Sequence, residues 1–173
     1  GFSALTYNTT GFGNTSGGYA ALFTNETGDA NTAFGFAALQ KNITGSYNLG
    51  IGTNALYSNL SGDNNTAVGR NAGFYALGSG NVFLGNGAGL NETGSNKLYI
   101  SSYDSENSLE RDLITGDFSS GNLSLGQTSG TVTILNDADI DGTLTLGSIS
   151  DVESEINTNA SNISTNSTSI SAN

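Results

Sequence analysis

The chain has no cysteine, methionine, histidine, tryptophan or proline in its 173 residues. Without cysteine there is no disulfide framework and no thiolate metal site. Without histidine the commonest general base and the commonest transition-metal ligand are missing, so any catalysis would fall to carboxylates. Charged residues make up only 11% of the chain and hydrophobic ones 35%; glycine, asparagine, serine and threonine fill the difference, as in fibrous β proteins or in disorder. Four basic residues stand against fifteen acidic ones, a net charge of −11, and almost all the acidity lies beyond residue 100. No basic stripe exists to neutralise phosphates, so nucleic acid is excluded as a partner. No apolar run approaches the roughly 20 residues of a membrane helix, and no membrane insertion is expected of this segment. The chain begins in mid-repeat, Gly1 standing where Gly18 and Gly35 stand later, and is expected to be part of something longer.

What is present is a repeat, and its register argues for order. Asn14, Asn31, Asn48 and Asn65 open similar units 17 residues apart, and the units at Asn81 and Asn96 follow after 16 and 15. Leu5, Leu22, Leu39 and Leu56 keep the same spacing, as do Asn8, Asn25, Asn42 and Asn59, and Gly11, Gly28, Gly45 and Gly62. So short a unit gains a core only by stacking on copies of itself. Its two apolar clusters, Ala33-Phe34 and Ala37 to Leu39, predict two short strands separated by tight turns. A helical unit is disfavoured, because each interior glycine would cost about 1 kcal/mol. The expected product is a parallel β-roll or β-solenoid with a thin core and open edges, best relieved by lateral association with other chains. Phe34 aligns with Ile51 and Val68 and is expected in the core. Tyr57 aligns with Phe23 and Gln40, expected to face outward as the better candidate for ligand contact. The Asn-x-Ser/Thr sequences at Asn8, Asn25, Asn42 and Asn59 fall at one corner and are explained by turn chemistry, with glycosylation the lesser reading.

Three segments follow from this pattern: a β-solenoid head or shaft over 1–95, a short-strand collar over 96–148, and a helical stalk from 149 to 173. In the collar, Lys97-Leu-Tyr-Ile-Ser and Asp112-Leu-Ile-Thr-Gly-Asp-Phe are expected as short strands around a polar loop from Ser101 to Ser108. Leu123, Leu125, Val132, Ile134, Ile140, Leu144 and Leu146 then alternate with polar residues, and burial against sister strands in a triangular β-prism would cover them. Ile149, Val152, Ile156, Asn159, Ile163, Asn166 and Ile170 are spaced 3, 4, 3, 4, 3, 4, a heptad seam of a trimeric coiled coil. Its other positions are serine, threonine and asparagine, poor helix formers, so this helix is expected only in an oligomer.

Few residues offer chemistry. In a three-stranded bundle the side-chain amides of Asn159 and Asn166 would point at the axis, where they would hold a small anion such as chloride, or else set register and trap water. Asp137, Asp139 and Asp141 begin like a calcium loop, but Ser148 stands where the bidentate glutamate belongs; an acidic strand face is the simpler account. Asp104, Glu106, Glu110 and Asp112 could supply a glycosidase pair, but nothing fixes their separation and a solvated acidic loop is the simpler account. Gly78-Ser-Gly and Gly85-Asn-Gly-Ala-Gly lack the strand-then-helix setting of a phosphate loop and are expected as turns.

The units Asn31-Thr-Ala-Phe-Gly and Asn65-Thr-Ala-Val-Gly, the closing Asn96-Lys-Leu-Tyr-Ile, and Gly116-Asp-Phe resemble trimeric fibre proteins of phage tails and bacterial surfaces. Such fibres often end in an intramolecular chaperone of the endosialidase type. The head repeats are also similar to those of trimeric autotransporter adhesins, whose heads are left-handed β-rolls. Ile156-Asn-Thr-Asn159 and Ile163-Ser-Thr-Asn166 resemble their stalks, where such asparagines bind an axial anion. The repeat of 17 is longer than the usual adhesin head repeat, and neither a membrane anchor nor a chaperone domain is found. The resemblance implies a homotrimeric extracellular fibre, on a virion tail or a bacterial surface, that is not an enzyme and has no cofactor beyond axial chloride. Its partner would be a host-cell receptor or glycan, met through solenoid loops or the loop at Ser101 to Ser108. Rival readings are an ice- or surface-binding solenoid, suggested by Thr10, Thr27, Thr44 and Thr15, Thr32, Thr66, and a depolymerising tailspike fragment.

Overall fold

A computed structural model describes residues 1–104, 109–126 and 158–167. Two compact units divide the chain, Gly1–Val132 and Thr133–Asn173. In the first, eight strands form one sheet in chain order: β1 Thr15–Gly17, β2 Thr32–Phe34, β3 Leu49–Ile51, β4 Thr66–Val68, β5 Val82–Leu84, β6 Lys97–Asp104, β7 Leu109–Asp117 and β8 Asn122–Leu125. β1 to β6 pair in parallel, each residue above its repeat equivalent, so Thr15, Thr32, Leu49, Thr66, Val82 and Leu98 stack in one column. This is a β-solenoid of about five turns. β6, β7 and β8 then pair antiparallel and end the coil.

Each turn carries one strand where two were expected. After the strand comes a glycine with strongly positive φ (Gly18, Gly35, Gly52, Gly69 and Gly85), where any Cβ would strike a backbone carbonyl of the next turn. The cluster Ala37 to Leu39 then curls, with Ala37 and Leu39 at φ 54° and 51°. Hydrogen bonding between turns nevertheless continues: Leu39 N–H donates to Ala55 C=O, and Lys41 N–H to Tyr57 C=O. The cluster is therefore a stacked turn, which satisfies its backbone as a strand would while rotating the chain toward the next corner.

The core is narrow. Ala33 and Ala67 point inward from the strands, and Ala38, Leu39, Ala55 and Leu56 meet them from the curl. Its volume is exchanged between columns along the axis. The leucine column Leu22, Leu39, Leu56 gives way to Gly73 and Gly89, and the ring of Phe83, standing where Ala33 and Ala67 stand, fills the space so left.

Phe34, Ile51 and Val68, expected in the core, are 47%, 39% and 37% exposed. Period-two alternation fixes which residues share a face but not which face is inside. The inward strand position holds Ala33, Gly50 and Ala67, the leucines of the curl fill the space beneath it, and Phe34, Ile51 and Val68 are left outside. The hairpin strands also run further than expected: β6 continues through Ser101 to Asp104 and β7 begins at Leu109, so the first half of the stretch taken for a loop is strand. Residues 105–108 lie outside the described residues.

In the second unit, residues 158–167 form a helix, α1. Among the described residues no helix is long and apolar enough to cross a membrane.

Candidate functional site

Three columns of polar side chains run along the solenoid. Asn25, Asn42 and Asn59 each donate their side-chain N–H to the side-chain carbonyl one turn back (2.7, 2.7 and 2.9 Å), and to the carbonyl of the glycine three residues on. In a second column, the side-chain carbonyls of Asn14, Asn31, Asn48 and Asn65 accept the backbone N–H of the asparagine one turn on. Asn81 does the same for Lys97. In a third, Phe12 N–H donates to Asp29, Asp29 N–H to Ser46, Ser46 N–H to Asp63 and Asp63 N–H to Ser79. This third column was missed by sequence reasoning, although Asp29, Ser46 and Asp63 keep the repeat spacing.

These contacts remove several candidates. Asn25, Asn42 and Asn59 are fully buried with both amide hydrogens used, so their sequons are turn chemistry and cannot carry glycans on the folded chain. Tyr57 is half-buried: Phe74 stacks on its ring at 4.8 Å and Lys41 stands over it at 4.9 Å. With neighbours already against its ring, it is a poor platform for a sugar. Thr10, Thr27 and Thr44 are exposed, but Thr32 and Thr66 are half-buried.

Of the carboxylates, Asp112 lies on β7 opposite Ser101, half-buried, and Glu110 lies on β7 opposite Tyr103. Glu106 falls outside the described residues, as do Asp137, Asp139 and Asp141. Among the described residues no three acidic side chains gather as a metal site would require. Asn159 and Asn166 both lie on α1, two helical turns apart and exposed in the single chain, with Ile163 between them, also exposed. The other seam residues, Ile149, Val152, Ile156 and Ile170, are outside the described residues.

The functionally suggestive feature is the sheet's two faces. On the outer face one row runs Gly17, Phe34, Ile51, Val68, Leu84, Ile100, Ile114, Leu125, and the next Thr15, Thr32, Leu49, Thr66, Val82, Leu98, Gly116, Leu123. These two rows carry no charged residue along their length, about 34 Å over eight strands at the usual strand spacing of roughly 4.8 Å. At its far end Leu98, Phe118 and Leu123 line an apolar cavity of about 350 Å³. The opposite face is core beneath the solenoid. Over β6 to β8 it turns polar, with rows Lys97, Asp117, Asn122 and Tyr99, Thr115, Ser124.

On that polar face Lys97 and Asp117 form an ion pair at 2.7 Å. The Lys97 ammonium, and then the Ser119 hydroxyl and N–H, hold the Asp117 carboxyl far below the usual carboxylate range. The hydrogen bond that Lys97 donates to Asp117 raises the pKa of the ammonium in turn. Glu92 accepts from Tyr99 O–H at 2.8 Å and from Gly94 N–H at 2.6 Å.

The chain matches no protein-family model, no curated protein and no solved structure.

Proposed function

We propose that this chain is a non-catalytic structural and adhesive segment of a homotrimeric extracellular fibre. One observation carries the reading: the outer row of the sheet is apolar from Phe34 to Leu125, exposed at Phe34, Ile51, Val68 and Leu125 and half-buried at Leu84, Ile100 and Ile114. A contiguous apolar surface of that length is a surface for association, since monomers rarely leave one open. Three such faces turned toward one axis would bury one another along the solenoid. Over β6 to β8 the same rows, with Ile114, Leu123 and Leu125, would begin a triangular prism. The Asn columns suit the role, because they stiffen a shaft by bonding each turn to the next.

In the stalk, three copies of α1 would bring Asn159 and Asn166 to the axis in two layers. Each layer would supply three amide groups to a chloride ion. Their two-turn separation on one helix supports that geometry. The fibre would present its outward surface three times over, so that weak contacts with a host-cell receptor or glycan gain by avidity.

Because the chain has no cysteine, one introduced residue reports the packing directly. Val68→Cys lies on the outer face and Thr10→Cys on an exposed corner away from the strands. Mild oxidation at low protein concentration is expected to give covalent dimers with Val68→Cys and none with Thr10→Cys. Equal yields from both, or none from either, would count against the axial packing.

A further inference from the structure

Beneath the polar rows of β6 to β8 lies an open cavity of about 250 Å³, lined by Glu92, Lys97, Tyr99, Thr115, Asp117, Asn122 and Ser124. We propose that it is a binding site for a single neutral sugar ring, presented on the face of the sheet opposite the apolar rows.

The charge balance sets the ligand class. Lys97 is neutralised by Asp117, and the Glu92 carboxylate is held by Tyr99 O–H and Gly94 N–H. An anion would meet two carboxylates and a metal cation an ammonium, so neither is favoured. A neutral polyol instead meets donors and acceptors on every side. The pairs leave N–H groups on Lys97 and lone pairs on Glu92 and Asp117. The Thr115 and Ser124 hydroxyls and the Asn122 side-chain amide make no hydrogen bond to another described residue and stand adjacent across β7 and β8. Tyr99, which packs on Phe83 at 6.0 Å, contributes an aromatic wall fixed by the core.

The size agrees. The volume falls just under the roughly 300 Å³ at which pockets begin to enclose drug-sized ligands, so one small ring fits and an oligosaccharide would extend into solvent. All lining residues belong to one chain, so the cavity itself does not need the trimer; its outward, threefold display rests on the fibre reading.

The test is saturation-transfer NMR on the 1–173 chain with the methyl glycosides of glucose, galactose, mannose and N-acetylglucosamine, with molar mass measured on the same sample. Transfer to at least one glycoside is expected. It should weaken about tenfold in Thr115→Val/Ser124→Ala, two hydroxyls being lost, and persist in the distant control Thr10→Val. Unchanged circular dichroism would show the double variant folded. No transfer to any of the four glycosides, or transfer undiminished in the folded double variant, overturns the site. A trimer without transfer sinks the site alone, whereas transfer to a monomer keeps the site and sinks the fibre.

Discussion

Asn42 donates its side-chain amide to the Asn25 carbonyl at 2.7 Å and, with the other hydrogen, to Gly45 C=O at 2.8 Å, while its own carbonyl accepts from Asn59. One buried side chain thus joins three turns and closes its own corner. Asn42→Asp replaces the donor by an acceptor-only group facing two acceptors, each at a cost of about 1–3 kcal/mol. The expected result is a large drop in the denaturant midpoint, far beyond that of Thr44→Ala on the same exposed corner. Equal drops would mean the ladder is incidental.

The exchange of volume between columns gives a second test. A Cβ at Gly73 would meet the Phe83 ring and Leu56, so Gly73→Leu is expected to destabilise by the few kcal/mol typical of overpacking. Phe83→Ala alone leaves a cavity, at a cost of about 3–5 kcal/mol. The double variant restores the Leu and Ala arrangement of Leu56 and Ala67, and thermal melts should show it more stable than additivity allows. Simple additivity would refute the compensation.

Ala30 sits at φ 52°, at a corner where Tyr47 is also left-handed and where Asn64, Gly80 and Asn96 take that conformation at less cost. Ala30→Gly is expected to stabilise, by up to about 1 kcal/mol once the extra freedom of the unfolded chain is subtracted. A lowered melting temperature would show that the left-handed turn carries no strain there.

How much of this was legible depends on what spacing can encode. The 17-residue interval of Asn14, Asn31, Asn48 and Asn65 fixed the stacking and the register of the parallel sheet. The same alternation placed Phe34 with Ile51 and Val68 but could not tell inside from outside. Phe34, Ile51 and Val68 were assigned to a core whose inward strand position holds Ala33 and Ala67, the leucines of the curl filling the rest. The curl at Ala37 to Leu39 was hidden because neither residue favours positive φ; only Asn54, Asn71 and Gly73 further along hint at it. The polar cavity was illegible for a different reason. Bringing Lys97 to Asp117 and Thr115 to Ser124 requires the hairpin register, which shifts between Ile100 and Ser101, and no local residue announces that.

The Lys97–Asp117 pair has a definite pH signature. Asp117 is depressed when folded, so its contribution is present above the unfolded carboxylate value near 4 and is lost as pH falls through the lower folded value. Lys97 is raised, so its contribution is full below about 10.4 and disappears as pH rises past the folded value. With 30% and 28% of the side chains open to water, the effect is modest and salt-sensitive. Stability of the hairpin, followed by hydrogen exchange at Lys97 and Asp117, is expected to fall below about pH 4 in the parent and to be flatter there in Asp117→Asn. Identical acid profiles would remove the pair from the account.

The central claim is that the outer apolar face is covered by sister chains. Its most direct test is the molar mass in solution of the 1–173 chain beside Ile51→Glu, which places a charge in the middle of that face but outside the core. The account expects three times 17.6 kDa for the parent and a β-rich species of lower mass for the variant. A parent chain that is folded and weighs 17.6 kDa would contradict it.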